Sequence, residues 1–192
     1  MMNSKLLCGI DEAGRGPLAG SLVIAGVVLK NPVAGLMDSK KLTEKKREAL
    51  YPLVIENSEY HIVSFSAQEV DKMGISKCLQ QGLQSIQKHL HYAEYLFDGN
   101  STFGVENITT MVKADTKVAE VSAASILAKV THDREMIEMA KEYPEYGFEK
   151  HKGYGTKAHI DAIIKHGYCN LHRKSFKIKK IEALNLYKKS LF

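Results

Sequence analysis

Leu6-Leu7-Cys8-Gly9-Ile10-Asp11-Glu12-Ala13-Gly14-Arg15-Gly16-Pro17-Leu18-Ala19-Gly20, running on into Ser21-Leu22-Val23-Ile24-Ala25-Gly26-Val27-Val28-Leu29, is the stretch on which the fold turns. Leu6 to Asp11 reads as a short buried strand, and Gly20 to Leu29 as a second, β-branched and nearly continuous in apolar residues. The turn between them is Gly-rich. Downstream, Asn31-Pro32 and Gly35 mark a loop, and Thr43 can cap a helix to about Glu56. Glu59 to Ala67 alternates as a third strand. A helix follows from about Ser76 to His91, with Leu79, Leu83, Ile86 and Leu90 on one stripe. Ala93 to Phe97 reads as a strand that stops at Asp98-Gly99, and Ile108 to Val112 as another. Val118 to Lys141 is the longest helix, poor in Gly and Pro and rich in Ala where it can lie close on a sheet. Tyr143-Pro144 through Gly155 breaks the pattern, after which Thr156 caps a helix to about His166 and Ser175 caps a basic one. The order predicts an α/β layer architecture, whose ligand sites gather at strand ends and adjoining loops.

Carboxylates at those strand ends are therefore the residues to collect. Asp11-Glu12 closes an otherwise apolar strand, an expensive place for charge unless something offsets it. Solvent, an ion pair with Arg15, or a divalent cation on hard oxygen ligands would each do so. Asp98 repeats the situation after Tyr95-Leu96-Phe97, although Asp98-Gly99 serves equally as a turn signal, and alone the turn is the better reading. Asp133 lies on the long helix. Counting by three and four puts Ser122, Ser125, Lys129, His132 or Asp133, and Met136 on one polar seam, opposite a core face of Val121, Ala124, Leu127 and Val130. From the margin of that helix Asp133 could lean over the sheet edge toward the other three. No HExxH, CxxC or GxSxG occurs, so hard-oxygen donors favour magnesium or manganese over zinc. Two such ions, about 3.5–4 Å apart, suit phosphodiester hydrolysis.

Composition narrows the classes. The 192 residues are 44% hydrophobic and 26% charged, which is ordinary globular composition and argues against disorder. Leu22 to Leu29 is far shorter than the roughly 20 residues of a membrane span, and Met1 to Lys5 lacks a signal peptide's apolar segment, so a cytoplasmic protein is expected. Cys8, Cys78 and Cys169 form no close pair, which fits reduced thiols. The net charge of +5 hides an asymmetry: Lys150 to Phe192 carries +9, and the rest carries −4. One end thus looks built for a polyanion, with a solvated basic surface as the bland alternative. The lysines would attract a phosphate backbone that the carboxylates repel until cations neutralise them.

The residues also resemble a known family. Gly9-Ile10-Asp11-Glu12-Ala13-Gly14-Arg15-Gly16-Pro17-Leu18-Ala19-Gly20 is similar to the opening signature of bacterial ribonuclease HII. The resemblance continues through Asp38-Ser39-Lys40-Lys41-Leu42, Asp98-Gly99, Lys113-Ala114-Asp115, Ala123 to Arg134, and His151-Lys152-Gly153-Tyr154-Gly155-Thr156. It implies a ribonuclease H-like mixed sheet flanked by helices, a catalytic core over residues 1–145 and a small basic helical substrate-binding extension over 146–192. It carries the acidic ligands of Mg2+ or Mn2+ onto Asp11, Glu12, Asp98 and Asp133, the same four that the strand-end reading collects. The implied activity is endonucleolytic: hydrolysis of the RNA strand of RNA/DNA hybrids, and nicking of duplex DNA 5′ of embedded ribonucleotides to leave 3′-hydroxyl and 5′-phosphate ends. Roles in ribonucleotide removal and RNA primer processing follow.

By the same resemblance Gly14-Arg15-Gly16 reads the 2′-hydroxyl at an RNA-to-DNA junction, since glycines let the backbone approach the minor groove. Tyr154 stacks on the junction sugar. Lys40, Lys41, Lys129 and Ser125 are further substrate contacts, each with an alternative as a solvated lysine or a small packing residue. Ala114 stands where Gly is common, and His132 where a basic residue is common. His132 is expected on the helix surface, or else beside Asp133 tuning proton transfer. Ribonuclease HIII is disfavoured because Asp11 lies almost at the start, leaving no room for its N-terminal domain. A junction resolvase or transposase-like nuclease would not require ribose, and a basic binding module would not cut at all. A monomer is expected.

Overall fold

The computed structural model describes residues 6–36 and 42–183. Five strands form one mixed sheet: β1 (Leu6–Ala13), β2 (Leu22–Leu29), β3 (Ser58–Phe65), β4 (Ala93–Asp98) and β5 (Ile108–Met111). The strand order is β3-β2-β1-β4-β5. β1, β2 and β3 pair antiparallel, whereas β4 lies parallel to β1 and β5 parallel to β4. The helices are α1 (Glu44–Glu56), α2 (Ala67–Met73), α3 (Ile75–His89), α4 (Ala119–Glu142), α5 (Phe148–His151) and α6 (Lys157–His166).

β2 explains why its sequence lacks alternation. Leu22, Ile24 and Val28 join Cys8 and Ile10 in one apolar layer with Leu79, Leu83 and Ile86 of α3. Val23, Ala25 and Val27 face the other way, into a layer with Ala123, Ala124 and Leu127 of α4 and Val54 of α1. A strand covered on both faces reads as a continuous apolar run. Thr43 caps α1 by accepting a bond from the Lys46 amide, and Thr156 caps α6 in the same way from His159.

Three expectations need correction. Strand β3 ends at Phe65, because Ser66 and Glu69 form a reciprocal capping box that starts α2, an element the alternation of β3 concealed. Ser175 caps no helix: its hydroxyl bonds Asp71, and the helical stretch begins at residue 179. His132, expected on the surface of α4, lies on a buried seam, where Ser122, His132, Asp133 and Met136 are nearly as buried as Val121 and Leu127. The helix is covered on its outer side too, where Met136 joins Ala19, Tyr146, Phe148, Ile163 and Ile178 in a third apolar cluster.

Gly9 sets how closely α4 lies on β1. A methyl at this position would stand 2.2 Å from backbone atoms of Glu120 and Val121. Gly9→Ala is therefore expected to lower stability by about 3 kcal/mol, the upper end for overpacking a core, read as a lower urea midpoint. A midpoint like the wild type's would contradict this contact.

Candidate active site

Parallel pairing brings two strand ends together. Ile10 of β1 stands opposite Phe97 of β4, so the next residues, Asp11 and Asp98, lie side by side; Asp98 ends β4, whereas β1 runs on through Asp11 and Glu12 to Ala13. Gly9 and Asp11 share the face that α4 covers, and Ser125 of α4 favours the charged form of Asp11. The backbone amide of Glu12 also donates to Asp11, at 2.7 Å.

The three strand-end carboxylates feel one another. Burial, and then the charge of Glu12, push the Asp11 carboxyl well above the usual range, with Asp98 adding to the rise. Burial raises Glu12 as well, against the pull of Arg15, whose guanidinium is 3.5 Å away. Oε2 of Glu12 is buried without a hydrogen-bond partner among the described residues. Asp98 is anchored differently, accepting bonds from the backbone amides of Lys113 at 2.9 Å and Asp115 at 3.3 Å.

Asp133 stands on α4 among basic side chains of its own. Lys129 Nζ is 2.7 Å away, His132 Nδ1 3.2 Å and Arg47 Nη2 3.8 Å. Burial works against its ionisation, but the bonds from His132 and Lys129 prevail and hold the carboxyl below the usual range. Among the described residues no group of three or more His, Cys, Asp or Glu side chains converges closely enough to hold a metal ion. The donor chemistry nevertheless suits a hard divalent cation: three crowded carboxylates, one with an orphaned buried oxygen, and no thiol among them.

The Gly-rich turn lies beside this edge. Gly14 has φ +83°, and a side chain there would strike the Ser21 carbonyl. Gly16 faces Tyr154, a residue 43% exposed whose ring lies under Lys129 Nζ at 5.6 Å. Lys129 therefore links the Tyr154 ring to Asp133. Lys40 and Lys41 lie outside the described residues. His132, expected at the surface, is fully buried because the third apolar cluster covers that side of α4; its Nε2 has no partner among the described residues.

Sequence reading missed Arg47, which carries no motif, and misassigned Arg173. The latter was counted with the basic surface of the C-terminal end, yet it is 1% exposed and hydrogen-bonds backbone carbonyls of the Gly-rich turn. Lys152 is also withdrawn from that surface, donating to the Glu149 carbonyl. Lys150, Lys157, Lys165, Lys174, Lys177 and Lys179 remain exposed.

Two imidazoles behind Tyr154 give the fold an acid limit. His159 and His172 are buried, and burial pushes both down to about 4. Between roughly pH 6.5 and 4 the unfolded chain binds protons at these positions that the native state does not, so stability is full above the unfolded pKa and falls with pH. A thermal midpoint that drops as buffer is taken from about pH 7.5 to 5 is expected; a flat profile would count against the buried pair.

A mixed sheet of this order, with acidic residues at adjoining strand ends and a long helix across them, defines a ribonuclease H-type hydrolase. Comparison with known proteins narrows the class. The family model for Ribonuclease HII matches residues 8–179. A Sulfurovum protein named Ribonuclease HII is 73% identical over 184 residues, covering 96% of this chain and 98% of its own length. Among solved structures, a chain of the PCNA:RNase HII complex from Archaeoglobus fulgidus superposes with a TM-score of 0.77 at 25% identity, covering 91% of this chain and 96% of its own. Ribonuclease H2 from Pyrococcus horikoshii gives 0.75 at 26%, covering 95% and 99%. The chain belongs to the ribonuclease HII family, whose members cleave the RNA of RNA/DNA hybrids.

Proposed function

We propose that this enzyme is an endonuclease that both degrades the RNA strand of RNA/DNA hybrids and nicks duplex DNA on the 5′ side of an embedded ribonucleotide, leaving 3′-hydroxyl and 5′-phosphate ends. The observation that carries the reading is the link Lys129 makes between a candidate acidic ligand and the candidate ribose reader: its Nζ is 2.7 Å from Asp133 and 5.6 Å from the centre of the Tyr154 ring, which faces Gly16.

Asp11, Glu12, Asp98 and Asp133 would hold two Mg2+ or Mn2+ ions. When bound, such ions supply a nucleophilic water and neutralise the leaving oxygen. Each carboxylate has a distinct part in that task. Asp11 would take the central part, because burial and the charges of Glu12 and Asp98 together push its carboxyl well above the usual range. Backbone amides at Asp98, and the Lys129 and Arg47 cations with the His132 imidazole at Asp133, would fix those two carboxylates in place. Gly14, Arg15 and Gly16 present backbone groups to the 2′-hydroxyl, and Tyr154 stacks on the sugar. Lys40 and Lys41 would contact phosphate, and Ser125 would act on substrate only through Asp11. The exposed lysines of residues 146–183 draw in the duplex.

A monomer acting in the cytoplasm on ribonucleotide removal and primer processing fits the three free cysteines, Cys8, Cys78 and Cys169. No described helix is long and apolar enough to cross a membrane. The test uses three labelled duplexes: all-DNA, DNA with one ribonucleotide, and RNA/DNA hybrid, each with Mg2+, Mn2+ or EDTA. Cutting is expected only where ribose is present, 5′ of the single ribonucleotide, and never in EDTA. Cutting of all-DNA would overturn the ribose reading while leaving the acidic site.

A further inference from the structure

Residues 171–173 grip the Gly-rich turn from behind. The Gly20 amide donates to the Leu171 carbonyl at 2.9 Å and the Arg173 amide to the Leu18 carbonyl at 2.8 Å, with Ala19 and His172 bridged as in an antiparallel ladder. The Arg173 guanidinium then reaches inward. Its Nη2 donates to the carbonyls of Gly20 and Ser21, both at 2.9 Å, and its Nε to Gly20 at 3.1 Å. Nη1 donates to Pro17 at 3.1 Å and, more loosely, to Arg15 at 3.4 Å.

Among the described residues all of these hydrogen bonds go to backbone carbonyls. Burying a guanidinium without a hydrogen-bonded carboxylate is unfavourable, and an apolar side chain of similar volume would fill the space more cheaply. The fork geometry offers what an apolar residue lacks: donors fixed in a plane, spanning carbonyls from Arg15 to Ser21.

The preceding residue acts on the other half of the site. The Cys169 amide donates to His172 Nδ1 at 2.9 Å, so that nitrogen is an acceptor and Nε2 carries the proton. His172 Nε2 donates to His159 Nε2 at 3.1 Å, and His159 Nδ1 donates to the Tyr154 carbonyl at 2.9 Å. An amide at one end and a carbonyl at the other fix the direction of the whole chain. The two halves are further joined where the Leu18 amide donates to Gly153 at 2.8 Å.

We propose that Arg173 and His172 are positioning residues for ribose selection: Arg173 sets the backbone of the turn from Arg15 to Ser21, and His172, through His159, sets the backbone of Tyr154. Two adjacent side chains thereby hold both halves of the ribose-reading site at one spacing. This inference rests on the proposed reading of Gly14, Arg15, Gly16 and Tyr154. A shift of about 1 Å at a positioning group can cost about a hundredfold in rate, so a partial loosening should be visible in selectivity.

The test compares kcat/KM on the single-ribonucleotide duplex with kcat/KM on RNA/DNA hybrid for the wild type, Arg173→Lys, His159→Phe and Tyr154→Ala. His159→Phe keeps a ring of similar shape in the aromatic cluster while removing the donor to Tyr154. The ratio of the two constants is expected to fall about tenfold in Arg173→Lys and in His159→Phe, with the His159→Phe thermal midpoint retained. If Arg173→Lys does not fold, His159→Phe decides alone. An unchanged ratio in a folded His159→Phe enzyme, or equal loss on both substrates, would overturn the inference while leaving the ribose reader intact. An unchanged ratio in Tyr154→Ala would overturn the reader itself, and this inference with it.

Discussion

Asp11→Asn is expected to remove at least about 10³-fold of turnover on every ribose-containing duplex while raising the thermal midpoint. The two effects have one cause. Asp11 is half-buried near the end of an apolar strand, and Glu12 and Asp98 oppose its charge. An amide of the same shape keeps an oxygen to accept from the Glu12 amide, and it relieves the repulsion. What it loses is the negative charge that a divalent cation requires. Function and stability therefore pull in opposite directions here. Asp98→Asn offers a contrast, because that carboxylate accepts two backbone amides with its two oxygens, and an amide group can keep only one of those bonds. It should lose activity and also about 1 kcal/mol of stability. Circular dichroism melts and single-turnover cleavage of the same preparations check both. Turnover of Asp11→Asn within about tenfold of the wild type, or a lowered midpoint, would remove Asp11 from the centre of the site.

Such residues were legible in the sequence because charge at the end of an apolar strand has few bland explanations. Asp11 and Glu12 follow Leu6 to Ile10, and Asp98 follows Tyr95 to Phe97. Pairing of β1 with β4 could not be read from either strand alone, yet it is what sets Asp11 beside Asp98. The long helix was legible in extent and misread in exposure. A polar seam of Ser122, Ser125, Lys129 and His132 has the period of a solvated face, and nothing local announces that Ala19, Phe148 and Ile163 pack on its Met136 end from outside. Burial by a later segment is a tertiary fact. Arg173 shows the same limit more sharply: among eleven cations from Lys150 onward it has no distinguishing neighbour in sequence, but among the described residues it alone of these turns inward onto carbonyls more than 150 residues away. The short helix α2 was missed for a local reason. Ser66 and Glu69 form a visible capping box, but the strand alternation ran one residue past it.

Gly14 and Gly16 look equivalent in sequence, and the structure separates them into an expected pair of unlike phenotypes. At Gly14 a methyl would lie 2.2 Å from the Ser21 carbonyl and 2.8 Å from His132 Cδ2, in a backbone conformation with φ +83° that side chains rarely adopt. The turn must move to accept it. Movement would break the alignment of the turn with the Arg173 fork, which holds the Ser21 carbonyl at 2.9 Å. Gly14→Ala is therefore expected to lose about 10²-fold on the single-ribonucleotide duplex, with a lowered thermal midpoint. At Gly16 the nearest atom to an added methyl is Tyr154 Cε1 at 3.8 Å, an ordinary contact. The free protein has room for Gly16→Ala, so its midpoint should match the wild type. Its cleavage should nonetheless fall, because the methyl would occupy the approach of the ribose to the backbone. Melting curves and KM for the two variants, measured side by side, make the distinction. Full activity in Gly16→Ala would mean that the substrate does not approach the turn there, and the ribose reader would have to be sought elsewhere on the sheet edge.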